Sequence, residues 1–211
     1  MADLRTSRKD QAFQQRQQDI LAAAISLFEN EPNWEQVTVA QIAQQADIGK
    51  GTVYKHFSSK EDIYARLTID FHCELMDRYK AINANAGCIE FMHQAISLTF
   101  TFFQAAPLCG QLSEFCQRQD LKERVSSSLV KEFEDIDKEM QTFFRQILEK
   151  GIADGVVINQ PIDHLMIGLE ATFQGAVSMM INNSYQQNSE LDENTFVEAI
   201  TRFMLSGLAA K

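Results

Sequence analysis

Three prolines and nine glycines are few for 211 residues, and that scarcity favours long uninterrupted helices. No run of eighteen or more apolar residues occurs, so no membrane-spanning helix is expected. The first residues, Met1 to Lys9, have no apolar core of the kind that directs secretion, and a cytoplasmic protein is expected. Four cysteines (Cys73, Cys88, Cys109, Cys116) lack CxxC spacing, which suggests neither a zinc knuckle nor a disulfide framework. Four scattered histidines make no metal site, and no cofactor is expected. P-loop, nucleophile elbow and HExxH are all missing, which speaks against an α-helical enzyme. Excess positive charge is missing too: the formal net charge is −10. The deficit is uneven. Residues 1–66 hold eight Lys/Arg against nine Asp/Glu, whereas residues 67–211 hold eleven against twenty. A near-neutral head therefore precedes an acidic body.

Residues 38–57 organise the chain. Thr38 suits a helix N-cap. Ile42, Ala43 and Ala46 follow at helical spacing, and Asp47-Ile48-Gly49 interrupts the pattern with turn chemistry. Val53 and Phe57 then give a second helix its buried side. Its other side carries Lys50, Gly51, Thr52, Tyr54, Lys55 and His56. Two short helices around a tight turn form a helix-turn-helix, whose second helix enters the DNA major groove. A helix over about 11–30, with Phe13, Ile20, Leu21, Ala24, Leu27 and Phe28 on one side, is expected to buttress the pair. An arm with Arg5, Arg8 and Lys9 precedes it.

The run from Thr38 to Ala43, then Gly49 to Phe57 with Tyr54-Lys55-His56-Phe57, then Ser59 to Ile63 resembles the DNA-binding signature of the TetR family of bacterial repressors. The resemblance covers about residues 10–66. It implies an all-α fold: a small helix-turn-helix head on residues 1–66 and a larger effector-binding and dimerisation body on 67–211, about nine helices in total. It also implies roles. Tyr54, His56, Thr38 and Lys60 are expected at phosphates, and Gly51 where backbone approaches the duplex. Lys50, Thr52 and Lys55 are expected at base edges, where Lys suits guanine O6 and N7. Gln41 is a further candidate. One departure stands out: the family usually has Gly at the position of Asp47. Asp reaches left-handed backbone angles, so the turn is expected to survive.

In the body, helices are expected over about 60–85, 88–105, 107–119, 121–150, 161–184 and 192–208, with Gly87 closing the first of them. The last two are apolar over much of their surface and carry Gly168, Ala171 and Gly175, which let backbones approach closely. They are expected to form a homodimer face, and two heads would then read a palindromic operator. The aromatic residues of the body suggest a site for a small lipophilic effector. Phe100, Phe103, Phe115, Phe133, Phe144, Phe173 and Gln174 are candidate lining residues, with His93, Arg118 and Asn182 as further polar groups. The expectation is therefore a DNA-binding transcriptional repressor that is released by such an effector. The alternatives are a thiol-based redox sensor using Cys109 and Cys116, a regulator that recruits a protein partner, and an enzyme.

Overall fold

The computed structural model describes residues 8–83, 86–187 and 190–210. Arg5 of the expected arm, and Ala84 and Asn85 of the expected helix end, lie outside them. The described residues form ten α-helices: α1 (Arg8–Asn30), α2 (Val39–Gln45), α3 (Lys50–His56), α4 (Lys60–Lys80), α5 (Cys88–Ala105), α6 (Pro107–Cys116), α7 (Gln119–Lys122), α8 (Ser127–Ala153), α9 (Ile162–Ile181) and α10 (Glu193–Leu208). The fold is all-α, as expected, and among the described residues no helix is long and apolar enough to cross a membrane.

Two packed units divide the chain. The first is Met1–Thr68 with Phe115–Val130, and the second is Ile69–Glu114 with Lys131–Lys211. In the first unit α2 and α3 are only seven residues each, too short to persist in water by themselves. Packing holds them. Ile20, Leu21 and Phe28 of α1, Ile42 of α2, Val53, Phe57 and Ile63 are all at most 3% exposed. Burying Phe57 alone contributes about 1.5–3 kcal/mol. An aromatic cluster closes this core: Trp34 lies 5.2 Å from Tyr64 and 5.1 Å from Phe115, ring centre to ring centre.

Three boundaries differ from the sequence reading. Residues 121–150, expected as one helix, break after Lys122 and restart at Ser127. This adds a tenth helix to the expected nine. The cause is Asp62, which is 2% exposed. It accepts hydrogen bonds from the Ser126 backbone N–H at 2.7 Å and from the Ser126 hydroxyl. The Ser126 carbonyl, in turn, accepts from the N–H groups of Leu129 and Val130 and starts α8. Second, α4 ends at Lys80 rather than near 85, with Ile82 N–H tightening onto the Tyr79 carbonyl. Third, Gly87 precedes α5 as its N-cap instead of closing α4. Its φ of 80° and ψ of 158° belong to a region open essentially to glycine.

The second unit packs α5 against α10, and α10 against α9. Leu75, Met76, Tyr79, Phe91, Phe100, Phe103, Leu148 and Phe196 are among its buried residues.

Candidate nucleic-acid interface

The turn between α2 and α3 is set by one backbone angle. Asp47 has φ of 52°, the left-handed region. The Asp47 N–H donates to the Gln44 carbonyl and the Ile48 N–H to the Ala43 carbonyl, the two bonds of a Schellman motif. Asp thus occupies the position where glycine would be unstrained, and the turn is intact. At the other end of α2, the Thr38 hydroxyl accepts from the Gln41 N–H at 3.3 Å. The Gln41 side-chain oxygen accepts from the Thr38 N–H at 2.8 Å. The Thr38-x-x-Gln41 spacing was a capping-box signal that the sequence reading used only in half. Both side chains are exposed, and the Thr38 hydroxyl donates to the Gln41 side-chain oxygen.

These two ends orient α3. Val53 is 1% exposed and holds one side of the helix to the core. Lys50, Gly51, Tyr54 and Lys55 are exposed on the other side, and Thr52 and His56 are partly exposed. Tyr54 is 48% exposed, with the Lys50 ammonium 5.8 Å from its ring centre. Such a cation–π contact contributes about 0.5–1 kcal/mol at an exposed site and lines the two groups up. A Cβ added at Gly51 would meet nothing within 4 Å, so packing inside the chain does not require glycine there. Six of the eight residues expected at DNA therefore share one short helix, with the Tyr54 ring exposed among them.

His56 and Lys60 sit differently from expectation. The His56 ring stacks on Phe13 of α1, ring centres 4.1 Å apart, and its Nδ1 is buried without a hydrogen-bond partner. Burial, with Arg16 and Lys55 nearby, lowers its pKa from the ordinary value, so the imidazole is neutral at neutral pH. Lys60 turns inward. Its ammonium donates to the carbonyls of Glu35 at 2.5 Å and Val37 at 3.0 Å, and it lies 5.4 Å from the Tyr64 ring centre. Burial lowers its pKa as well. Lys60, expected at phosphate, is instead paired inside the chain, because the Glu35 and Val37 carbonyls lie within its reach. Sequence reading missed Phe13 as the support of His56. The apolar stripe that carries Phe13 was visible; its distant partner was not.

The expected effector residues do not all come together. Phe115 belongs to the first unit, where it packs edge-on against Trp34 and Tyr64, and this corrects its assignment to the body. Gln174 is exposed and donates to Glu170 one turn away. His93, Arg118 and Asn182 are exposed as well. Phe100 and Phe103 are core residues that meet Phe173 at 5.3 and 6.4 Å. Phe144 packs on Tyr79 at 5.0 Å and Phe133 on His72 at 5.5 Å. A recess of 430 Å³ does open in the second unit, but on α4, α5 and the start of α6, and none of the seven residues lines it.

Residues 20–67 match the family model described as bacterial regulatory proteins, tetR family. The chain is 24% identical over 195 residues to the HTH-type transcriptional repressor KstR2 of Rhodococcus jostii, covering 92% of each. It is 23% identical over 189 residues to the nucleoid occlusion factor SlmA of Vibrio campbellii, covering 84% of this chain and 91% of that one. Among solved structures it is similar to the transcriptional regulator FadR of Bacillus subtilis in complex with stearoyl-CoA. That match has a TM-score of 0.70 and 21% identity over 90% of this chain and 98% of the other. The ketosteroid regulator KstR2 of Mycobacterium tuberculosis matches with a TM-score of 0.65 and 22% identity, over 93% and 96%.

Proposed function

From the premise that this chain belongs to the TetR family of bacterial transcriptional regulators, we propose that it is a homodimeric repressor of a palindromic operator, released by a small lipophilic effector. The observation that carries the reading is α3. It is a seven-residue helix buried through Val53 that offers Lys50, Gly51, Thr52, Tyr54 and Lys55 outward. In this reading residues 1–66 bind DNA and 67–211 bind the effector and a second copy of the chain, all in the cytoplasm.

One α3 reads too few bases to find a single site in a genome, so two copies are needed. Their half-sites would be about 34–36 Å apart, one helical turn. The dimer is formed through α9 and α10. Ile167 is 62% and Phe203 66% exposed, a heavy apolar load for an uncovered surface. Gly168, Ala171 and Gly175 are exposed on the same helix as Ile167, and a Cβ at either glycine would meet nothing within 4 Å inside the chain. The effector part of the reading draws on relatives: one is a ketosteroid regulator, and another was solved with stearoyl-CoA. A thiol-based sensor is disfavoured by burial. Cys109 and Cys116 are 3% and 6% exposed, and burial pushes the Cys116 thiol up to about 11, so it is not a thiolate at neutral pH.

Footprinting on the DNA around the protein's own gene tests the core of the reading. A protected pseudo-palindrome, lost as salt rises, is expected. Light scattering of wild type and Phe203→Glu tests the dimer. A monomeric wild type, or a Phe203→Glu dimer of unchanged affinity, would remove that part.

A further inference from the structure

The 430 Å³ recess of the second unit lies within the size range of small-molecule sites. Phe71, Leu98, Phe102 and Cys109 give it apolar walls, and Glu74 and Arg78 of α4 add the charged groups. The chemistry of an occupant follows from how Arg78 is held. Its Nε and Nη2 both donate to a single oxygen of Glu74, at 3.2 and 2.6 Å. Its guanidinium carbon lies 5.1 Å from the ring centre of Phe102. Glu74 and Phe102 thus set the orientation of the fork, while Nη1 has no hydrogen bond among the described residues.

Three kinds of occupant can be compared. A lipophilic cation could reach the second oxygen of Glu74 only beside the Arg78 guanidinium, whose like charge opposes it. A wholly apolar molecule would cover the donors of Arg78 and leave them unpaired, which is unfavourable. A molecule with one carboxylate pairs with the open edge of the fork, the geometry guanidinium is suited to. Glu74 and Arg78 are each 50% exposed, so their ion pair contributes little and yields readily. The acidic body opposes an anion only at short range, because its field is screened within about 8–10 Å.

We propose that this recess binds an amphipathic carboxylate, with its apolar body against Phe71, Leu98 and Phe102 and its carboxylate on the Nη1 edge of Arg78. Naming this occupant as the effector rests on the reading of the previous section; the site itself does not.

Calorimetry on the full-length protein with decanoate, below its micelle concentration, tests the site. Wild type is expected to bind decanoate at least tenfold more tightly than decan-1-ol or decyltrimethylammonium. Arg78→Met should weaken decanoate at least tenfold. Ala105→Trp, which fills the recess from an exposed wall position, should abolish binding. Circular dichroism checks that both variants are folded. Equal binding of decan-1-ol, or undiminished decanoate binding by Arg78→Met or Ala105→Trp, overturns the assignment. The two readings separate on footprinted DNA. Decanoate that binds as described yet leaves the DNA occupied upholds the site and removes the effector reading. Release of the DNA by another lipophile, with no decanoate binding, does the reverse.

Discussion

The carboxylate of Asp62 accepts two hydrogen bonds from Ser126, one from its backbone N–H and one from its hydroxyl, across 64 residues of sequence. It accepts a third from the Ser58 N–H at 3.0 Å. One buried side chain therefore caps the entry to α4, directly after α3, and holds the start of α8. Arg124 adds an ion pair with Glu61 at 3.0 Å beside it. Asp62→Ala leaves two backbone donors without acceptors and should destabilise the protein by roughly 2–3 kcal/mol. Asp62→Asn should cost less, since one oxygen remains. Chemical denaturation measures both. An Asp62→Ala midpoint equal to that of wild type would show that the junction carries no weight.

Lys60 separates two roles that a binding assay alone would confuse. As a staple on the Glu35 and Val37 carbonyls it supports the fold. Lys60→Met should lower stability by about 1 kcal/mol or more. A residue that served only as a phosphate contact would lose DNA affinity at an unchanged melting temperature, and that result would restore the original assignment.

Asp47 sits at φ of 52° where glycine is relaxed. Asp47→Gly should stabilise by about 0.5–1 kcal/mol, the left-handed strain less the chain entropy of glycine. It also removes a carboxylate near α3. DNA binding should therefore tighten at low salt, and the gain should shrink as salt rises. A less stable variant would mean that the Asp side chain makes a compensating bond.

Tyr54 and Lys50 should fail in different ways. Tyr54→Phe removes a hydroxyl from a 48% exposed ring, so stability should stay within about 0.5 kcal/mol. DNA affinity should fall for all sequences alike, as expected of a phosphate contact. Lys50→Ala should instead relax preference at one base pair, at about 1–3 kcal/mol. Binding to a panel of single-base operator variants distinguishes the two patterns. A Tyr54→Phe protein with altered preference and intact affinity would reverse the roles.

His72 makes stability pH-dependent. Its Nε2 lies 3.2 Å from the Ser113 hydroxyl, which donates its own hydrogen to the Cys109 carbonyl, so Nε2 carries the imidazole proton. Burial lowers the pKa to about 4, from 6.5. The unfolded chain thus takes up a proton before the folded one does. The stabilisation is complete above about pH 6.5 and is lost towards pH 4, at up to about 1.4 kcal/mol per unit. Melting curves at pH 7.5 and 5.0 should differ more for wild type than for His72→Gln. Equal differences would mean that His72 is hydrated in the folded state.

What could be read in advance, and what could not, divides by sequence distance. Thr38, the apolar spacing of Ile42 and Ala43, the Asp47-Ile48-Gly49 turn and the exposed face of α3 all lie within twenty residues, so periodicity and turn chemistry exposed them. The break before α8 was also marked, by three consecutive serines, but a long amphipathic pattern masked it. Phe115 was misplaced because an aromatic residue at helical spacing does not reveal which core it joins.

Local order was enough to read the helical class, the helix-turn-helix and the polar face of α3, because each leaves a periodic or turn signal within a few residues. Three-dimensional packing alone decided that Lys60 turns to the Glu35 and Val37 carbonyls, that His56 rests on Phe13, that Asp62 grips Ser126, and that Arg78 rather than Gln174 stands in the recess. Those partners lie 23 to 64 positions apart along the chain. A side chain's burial and pairing depend on which distant surface closes over it, and no periodic pattern records that.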